Sequence, residues 1–386
     1  MPKTLHIGLV SVVFDFKPEG ICTGRLARAL LGAGYQVSLI VSSKARVQQP
    51  EIYTGVHILP SGLREPRWVF NLLACLRREI PSNFYTWTRH VKSIVFFQHI
   101  PDVIYARAWP HASLVAGYEL AKKHHIPLIL HFSDPFPPTD LPHPQKQLML
   151  GLQKMVDAAD ALTFTNEQTI AYQQRFLAFD HEKAYVIPHV TMQPRCFGPT
   201  SQAGMMAYIG TARENIGQVD ELVEGFAKYC AEHDTAELHF VGSDKNYVNR
   251  LQGKAQAGSI LFHEYLQDVT PMMEQADVLV LVDPNVEYPI VSATKLLEYL
   301  GTDRKILGIT PQGSPSDDLL RQFPESCIAI NDYNAEKVAE GILAIFHLKP
   351  DASVYTHRHG VLETYLPGSV AARFDTIFRN ILTTSP

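Results

Sequence analysis

The strongest constraint on this chain is an alternation of short, β-branched apolar runs with amphipathic stretches, kept up along nearly its whole length and interrupted once. The runs of the first half are HIGLVSVVF, QVSLIV, VHILP, DVIYA, PLILHF, ALTF and AYVIP. Between them lie segments such as GRLARALLGAG, whose Leu26, Leu30 and Leu31 recur at helical spacing. Strands that are apolar on both faces are buried on both, and strands separated by helices build a parallel sheet with helices above and below. At HVTMQPRCFGPTSQAG the pattern stops in a cluster of proline, glycine and polar residues. It restarts with MMAYIG, AELHFVG, SILFHEY, DVLVLVD, KILGIT and CIAIN, separated by QVDELVEGFAKYC, TPMMEQA, SATKLLEYL and NAEKVAEGILAIF. The expected fold is α/β, with two Rossmann-like doubly wound domains facing each other across a cleft. The first domain is expected over 1–193, a linker over 194–204 and the second domain over 205–365. A last helix within 366–386, starting at Ser369, is expected to cross back to the first domain. Two domains also suit 386 residues.

Several classes are excluded at once. No apolar run is long enough to span a bilayer, and MPKTLHIGLVSVVFDF lacks the layout of a signal peptide, so a cytoplasmic location is expected. The five cysteines have no metal-ligand spacing, and the seventeen histidines show no HExxH pair, so neither a disulfide framework nor a protein-held metal is expected. The first turn, FDFKPEGICTG, has only Gly20 and Gly24, too widely spaced for a dinucleotide loop; neither a P-loop nor a GxSxG elbow occurs. No cofactor and no nucleic-acid partner are expected.

The formal charge of −5 divides into +6 over residues 1–195 and −11 over the rest, which suggests two domains with different partners. Much of the basic excess sits in an insertion at 60–100. It holds Arg64, Arg67, Arg77, Arg78, Arg89 and Lys92 against Glu65 and Glu79, interleaved with Trp68, Phe70, Phe84, Tyr85, Trp87, Phe96 and Phe97. Two readings stand side by side: basic and aromatic helices lying on the inner face of an anionic membrane, or amphipathic helices whose rings pack inward.

The stretch richest in candidate chemistry is DVLVLVDPNVEYPIVSATKLLEYLGTDRKILGI. A buried strand ends near Asp283, a polar loop follows, and Ser292 or Thr294 is placed to cap the helix containing KLLEYL. A helix N-terminus offers unpaired N–H groups and positive dipole to a diphosphate. Lys295 adds a point charge there, and Glu298, one turn on, can accept hydrogen bonds from ribose hydroxyls. Taken alone, Glu298 reads equally as a carboxylate stabilising its own helix.

This block resembles the donor-site signature of GT-B glycosyltransferases of the retaining family 4, approximately P-x-K-x-x-E-Y-L-A-x-G-K-P-I, matched here from Thr294 through Lys295, Glu298 and Gly301 to KILGI. AYIGTARENIGQVDELVEGFAKY is similar to the family's first C-terminal strand, glycine turn and helix, LHFVGSDKNYVNRL to its second, and DVIYARAWPHASLVAGYELAKKHHIPLILHFSDPFP to the segment lining the acceptor side. The resemblance implies Glu298 as ribose ligand, Lys295 and Arg213 as diphosphate contacts, and Gly210 and Gly242 as turns beside the donor phosphates, with Thr294 opening the motif. It implies Gly20 as a close backbone approach, His131 beside the reacting sugar, and Asp134, in SDPFP, as the acidic residue of a D-x-W-P-like turn, both as catalytic candidates. Their alternatives are a strand-end histidine bonded to backbone and a turn-initiating aspartate before Pro135. One position departs from the family: eight residues before Glu298, where a second glutamate is usual, stands Ile290.

The function expected is transfer of a sugar, of hexosyl type and with retention, from a nucleotide-diphosphate-sugar to a glycan or lipid-linked acceptor, without metal, in polysaccharide biosynthesis. Should the reaction invert, Asp134 and then His131 would be the candidate general bases. Two rivals remain: a nucleotide-sugar epimerase of the same architecture, and a non-enzymatic two-domain ligand-binding protein.

Overall fold

The computed structural model describes residues 4–61, 84–94, 99–108, 110–136, 146–200, 204–212, 219–233, 236–255, 259–266 and 268–383. The chain divides into two compact units, Met1–Val190 with Tyr365–Pro386, and Thr191–Thr364.

In the first unit, seven strands form one sheet: β1 (His6–Ser11), β2 (Gln36–Ser42), β3 (Gly55–Leu59), β4 (Val103–Ala108), β5 (Leu128–Phe132), β6 (Ala161–Phe164) and β7 (Ala184–Val186). Their order is β3-β2-β1-β4-β5-β6-β7 and all pairings are parallel. Every residue of β1, β4, β5 and β6 is buried, as a sheet covered on both faces requires. The described helices between them are α1 (Lys17–Gly32), α2 (Tyr85–Ile94), α3 (Ala112–His124), α4 (Lys146–Ala158) and α5 (Glu167–Gln173). Ile7 and Leu9 pack on Leu26 and Leu30 of α1. Val10 and Ile104 pack into a second core with Leu114 and Leu120 of α3. Each such aliphatic side chain contributes about 1.5–3 kcal/mol by leaving water.

The second unit repeats the plan with β8 (Met205–Ile209), β9 (Glu237–Val241), β10 (Ile260–His263), β11 (Val278–Val282), β12 (Lys305–Ile309) and β13 (Cys327–Ile330), ordered β10-β9-β8-β11-β12-β13. Its helices are α6 (Asp220–Glu232), α7 (Lys245–Ala255), α8 (Thr270–Gln275), α9 (Thr294–Leu300), α10 (Pro315–Leu320), α11 (Ala335–His347) and α12 (Ala352–Leu362). Residues 195–200 are fastened to this unit. Arg195 N–H donates to Gly301 O at 2.7 Å, Gly198 N–H to Asp303 Oδ2 at 2.7 Å, and Arg304 Nη1 to Gly198 O at 2.7 Å.

The last helix, α13 (Pro367–Thr383), begins two residues before Ser369 and belongs to the first unit. Val370, Ala371, Phe374, Ile377, Phe378 and Ile381 complete the core around α1, and Arg373 donates to Val186 O at 3.2 Å. Among the described residues no helix is long and apolar enough to cross a membrane.

The insertion is described over residues 84–94 and at its ends; Arg64, Arg67, Trp68, Phe70, Arg77, Arg78, Phe96 and Phe97 lie outside the described residues. In α2, Trp87 and Val91 are fully buried in the core, whereas Arg89 and Lys92 are exposed. The Trp87 ring therefore packs inward and is not available to a membrane surface. Lys92 pairs with Glu119 at 2.8 Å.

Candidate functional site

Each sheet reverses its strand order once, between β1 and β4 in the first unit and between β8 and β11 in the second. Open α/β sheets bind ligands outside the carboxyl ends of their strands at such switch points. The described candidate residues lie at these two places or at the neighbouring strands β5 and β9.

In the second unit, β8 is followed by Gly210, whose φ of +155° is a conformation reserved for glycine. The turn is stitched to the one after β9. Gly210 N–H donates to Val241 O at 3.0 Å, Ser243 Oγ donates to Gly210 O at 2.7 Å, and Ala212 N–H donates to Ser243 Oγ at 3.2 Å. Gly242, also with positive φ (+78°), opens this second turn. Arg213 lies outside the described residues.

From the other side of the switch point comes α9. Lys295 extends so that a Cβ added to Gly210 would meet its Nζ at 2.9 Å, and the ammonium stands 4.7 Å from the centroid of the Tyr208 ring. Among the described residues this ammonium has no hydrogen bond or ion pair. Asp283, just past β11, is held above the usual carboxylate range chiefly by burial, against the attraction of Lys295. Glu298 is half-buried one turn after Lys295, and Thr294 opens the helix. The cap of α9 corrects one expectation: the N-cap is Ala293, with no side-chain cap, rather than Ser292 or Thr294. Tyr299 anchors the helix by contacting the Ile209 backbone at 3.3 Å, and Ile290 is buried.

In the first unit, β4, β5 and β6 carry polar residues at matched register, Arg107 beside His131 and His131 beside Thr163. Arg107 Nη1 donates to His131 Nε2 at 2.8 Å, and Nη2 to His189 Nδ1 at 3.4 Å. Since guanidinium has no acceptor, His131 carries its proton on Nδ1 and gives it to Thr163 Oγ1 at 3.0 Å. Both nitrogens of the fully buried His131 are thus engaged. Burial, Arg107 and His189 keep it neutral, well below the usual histidine range. Asp134 follows β5, and its carboxyl is pushed up to about 6 by burial, with Glu19 adding to the rise and Arg107 opposing it.

Gly20 lies within the first turn of α1 rather than in a loop. A Cβ there would stand 3.0 Å from Phe14 N, so its missing side chain makes room for the chain's own backbone. Gly24 has a stricter role. A Cβ would fall 1.8 Å from Asp15 Oδ1, the carboxylate that grips Arg28 through two hydrogen bonds of 2.9 Å. Asp15 itself is held at φ +48° with its N–H donating to Gly20 O. Arg107, His189 and Tyr208 were not singled out from sequence, and Gly24 was considered only as a dinucleotide-loop glycine; polar residues at matching strand ends were the available signal for Arg107.

Residues 20–189 match the glycosyl transferase 4-like domain family. No curated protein matches the chain in sequence. Among solved structures, a glycosyltransferase from Rickettsia africae ESF-5 is similar over 100% of both chains, at 13% identity and a TM-score of 0.66. A Listeria monocytogenes protein provisionally assigned as a UDP-N-acetylglucosamine 2-epimerase is similar over 100% of this chain and 98% of its own (12%, TM-score 0.61). The lipopolysaccharide outer core galactosyltransferase WaaB, in apo form, is similar over 98% and 99% (12%, TM-score 0.59). The fold is that of the GT-B glycosyltransferases, and the family match across the first unit supports glycosyl transfer as the class of activity.

Proposed function

We propose that the protein transfers a hexosyl group, with retention and without metal, from a nucleotide-diphosphate-sugar to a glycan or lipid-linked acceptor in polysaccharide biosynthesis. The observation that carries this reading is the ammonium of Lys295 over the Gly210 turn at a switch point, without a hydrogen bond or ion pair among the described residues and so a ready site for a diphosphate. Glu298 holds the ribose and Thr294 the start of α9 against the phosphates, with Arg213, Gly242 and Gly20 as further donor-side positions. The bond from the anomeric carbon to the phosphate oxygen breaks, its electron pair leaves on the diphosphate, and Lys295 meets that growing charge. The acceptor oxygen bonds to the same carbon, and its proton passes to the leaving phosphate. Asp134, whose carboxyl titrates near neutrality, orients the acceptor hydroxyl. His131, with both nitrogens engaged, positions rather than transfers protons. The exposed Arg89 and Lys92, with the basic excess of 60–100, attach the protein to the inner membrane face, where lipid-linked acceptors reside.

The test begins with thermal stabilisation by UDP, GDP, ADP, CMP and TDP, since a ligand of the native state raises its apparent stability. The corresponding labelled nucleotide-sugars then report turnover with and without acceptor. Acceptor-dependent sugar transfer supports the reading. Conversion of the sugar without acceptor would favour an epimerase, and no stabilisation by any diphosphate would remove the donor site.

A further inference from the structure

Arg107 is a permanent cation buried at the carboxyl end of β4, at the switch point of the first sheet. Its contacts are the rings of His131 and His189 and the phenol of Tyr105. Among the described residues no carboxylate stands within ion-pair distance of it. A buried guanidinium surrounded by neutral groups is strongly unfavourable unless something brings a countercharge. Asp134 feels Arg107 only as the weakest of its influences, and burial holds it towards the neutral form.

The second imidazole shows where the countercharge goes. His189 turns its Nδ1 lone pair to Arg107, so its proton must sit on Nε2. No hydrogen bond among the described residues uses that Nε2–H, and the residue is only partly buried. His189 is thus a neutral donor polarised from behind by a buried charge, and Arg25 of α1 adds positive potential around it.

We propose that Arg107 and His189 form an oxyanion site in the first unit that binds a phosphate oxygen of the substrate. The site goes beyond the donor assignment at Lys295, and it reads a phosphate on the acceptor.

The experiment uses the full chain labelled with 15N-histidine, the His189 ring signals being those missing from His189→Gln. At neutral pH they should report the Nε2–H tautomer and shift saturably with inorganic phosphate. Phosphate affinity, followed by calorimetry, should fall about tenfold or more in Arg107→Gln and in His189→Phe. His189→Gln, which keeps an N–H donor, should bind more tightly than His189→Phe. That pair keeps the test sharp if Arg107→Gln does not fold. Lys295→Ala should keep the His189 response while losing nucleoside diphosphate binding, which separates this site from the donor assignment. The response should survive saturating UDP; one that UDP abolishes would overturn the assignment to the acceptor. An Nδ1–H tautomer at His189, or no saturable shift with phosphate, overturns the proposal.

Discussion

The ammonium of Lys295 occupies the space that any side chain at position 210 would need, a Cβ on Gly210 standing 2.9 Å from Nζ. The two residues come from helices and strands on opposite sides of the switch point, so the turn and the cation are shaped for each other. Gly210→Ala should therefore act twice. The φ of +155° becomes strained at about 1–3 kcal/mol, and the displaced ammonium should weaken nucleoside diphosphate binding by roughly tenfold or more. Thermal melts and calorimetry read the two effects separately; unchanged binding would mean that this turn does not meet the donor.

Lys295→Ala and Glu298→Ala should each leave the fold intact while costing roughly 1.5–3 kcal/mol of nucleoside diphosphate affinity, the worth of a charged hydrogen bond. The two should differ in turnover. Loss of Lys295 should lower kcat more than it lowers nucleoside monophosphate binding, because the charge it meets grows as the bond breaks. Equal losses in both measurements would count against a role at the leaving group.

Asp134 and its histidine neighbours titrate in opposite senses. The folded-state value of Asp134 is raised to about 6 from 3.8, so its contribution to stability is full below about pH 4 and is lost as pH rises through 6. His131 and His189 are depressed, the latter to about 3, so theirs is present above pH 6.5 and lost as pH falls. The effects offset each other between about pH 4 and 6.5. Asp134→Asn should raise stability at pH 7.5 by up to about 3 kcal/mol and make the acid limb steeper. Its sugar transfer should drop. Denaturant melts across pH check the first two; a limb no steeper than wild type would deny the offset.

Much of the fold was legible because a sheet buried on both faces demands strands such as VLVLV and KILGI that are apolar throughout, and every run named from sequence is a strand. Of the proposed donor-side residues, Lys295 and Glu298 could be named from the sequence because they sit within one short motif. Arg107 and His189 were not, being 82 residues apart in sequence and meeting only in the fold. The cap of α9 was misread for a local reason: serine and threonine flank Ala293, but the backbone turns at Ala293 itself.

Gly24→Ala tests a contact with no motif behind it. The added methyl group must displace the Asp15 carboxylate and break its two-pronged grip on Arg28, so a loss of about 1–3 kcal/mol is expected. Asp15→Asn, which weakens the same grip without crowding, should cost less. A melt in which Gly24→Ala matches wild type would mean the turn relaxes freely.

Attachment through the insertion should rest on charge, since Trp87 is committed to the core. Co-sedimentation with anionic vesicles should fall when Arg77, Arg78, Arg89 and Lys92 become Gln, and should weaken as salt rises. Equal pelleting of the two proteins would leave a soluble acceptor as the better assignment.

Because α13 fills the core against α1, the first unit is built from both ends of the chain, with Thr191–Thr364 made in between. On the ribosome, Leu26, Leu30 and their neighbours are synthesised long before the helix that covers them. At about 5–20 residues per second, roughly 17 to 70 seconds separate the two. During that interval an apolar face stays open, while the second unit can already fold by itself. The first half of the polypeptide is thus the last to mature, and a protein stopped short of Val370 would carry a complete second unit and an unfinished first one.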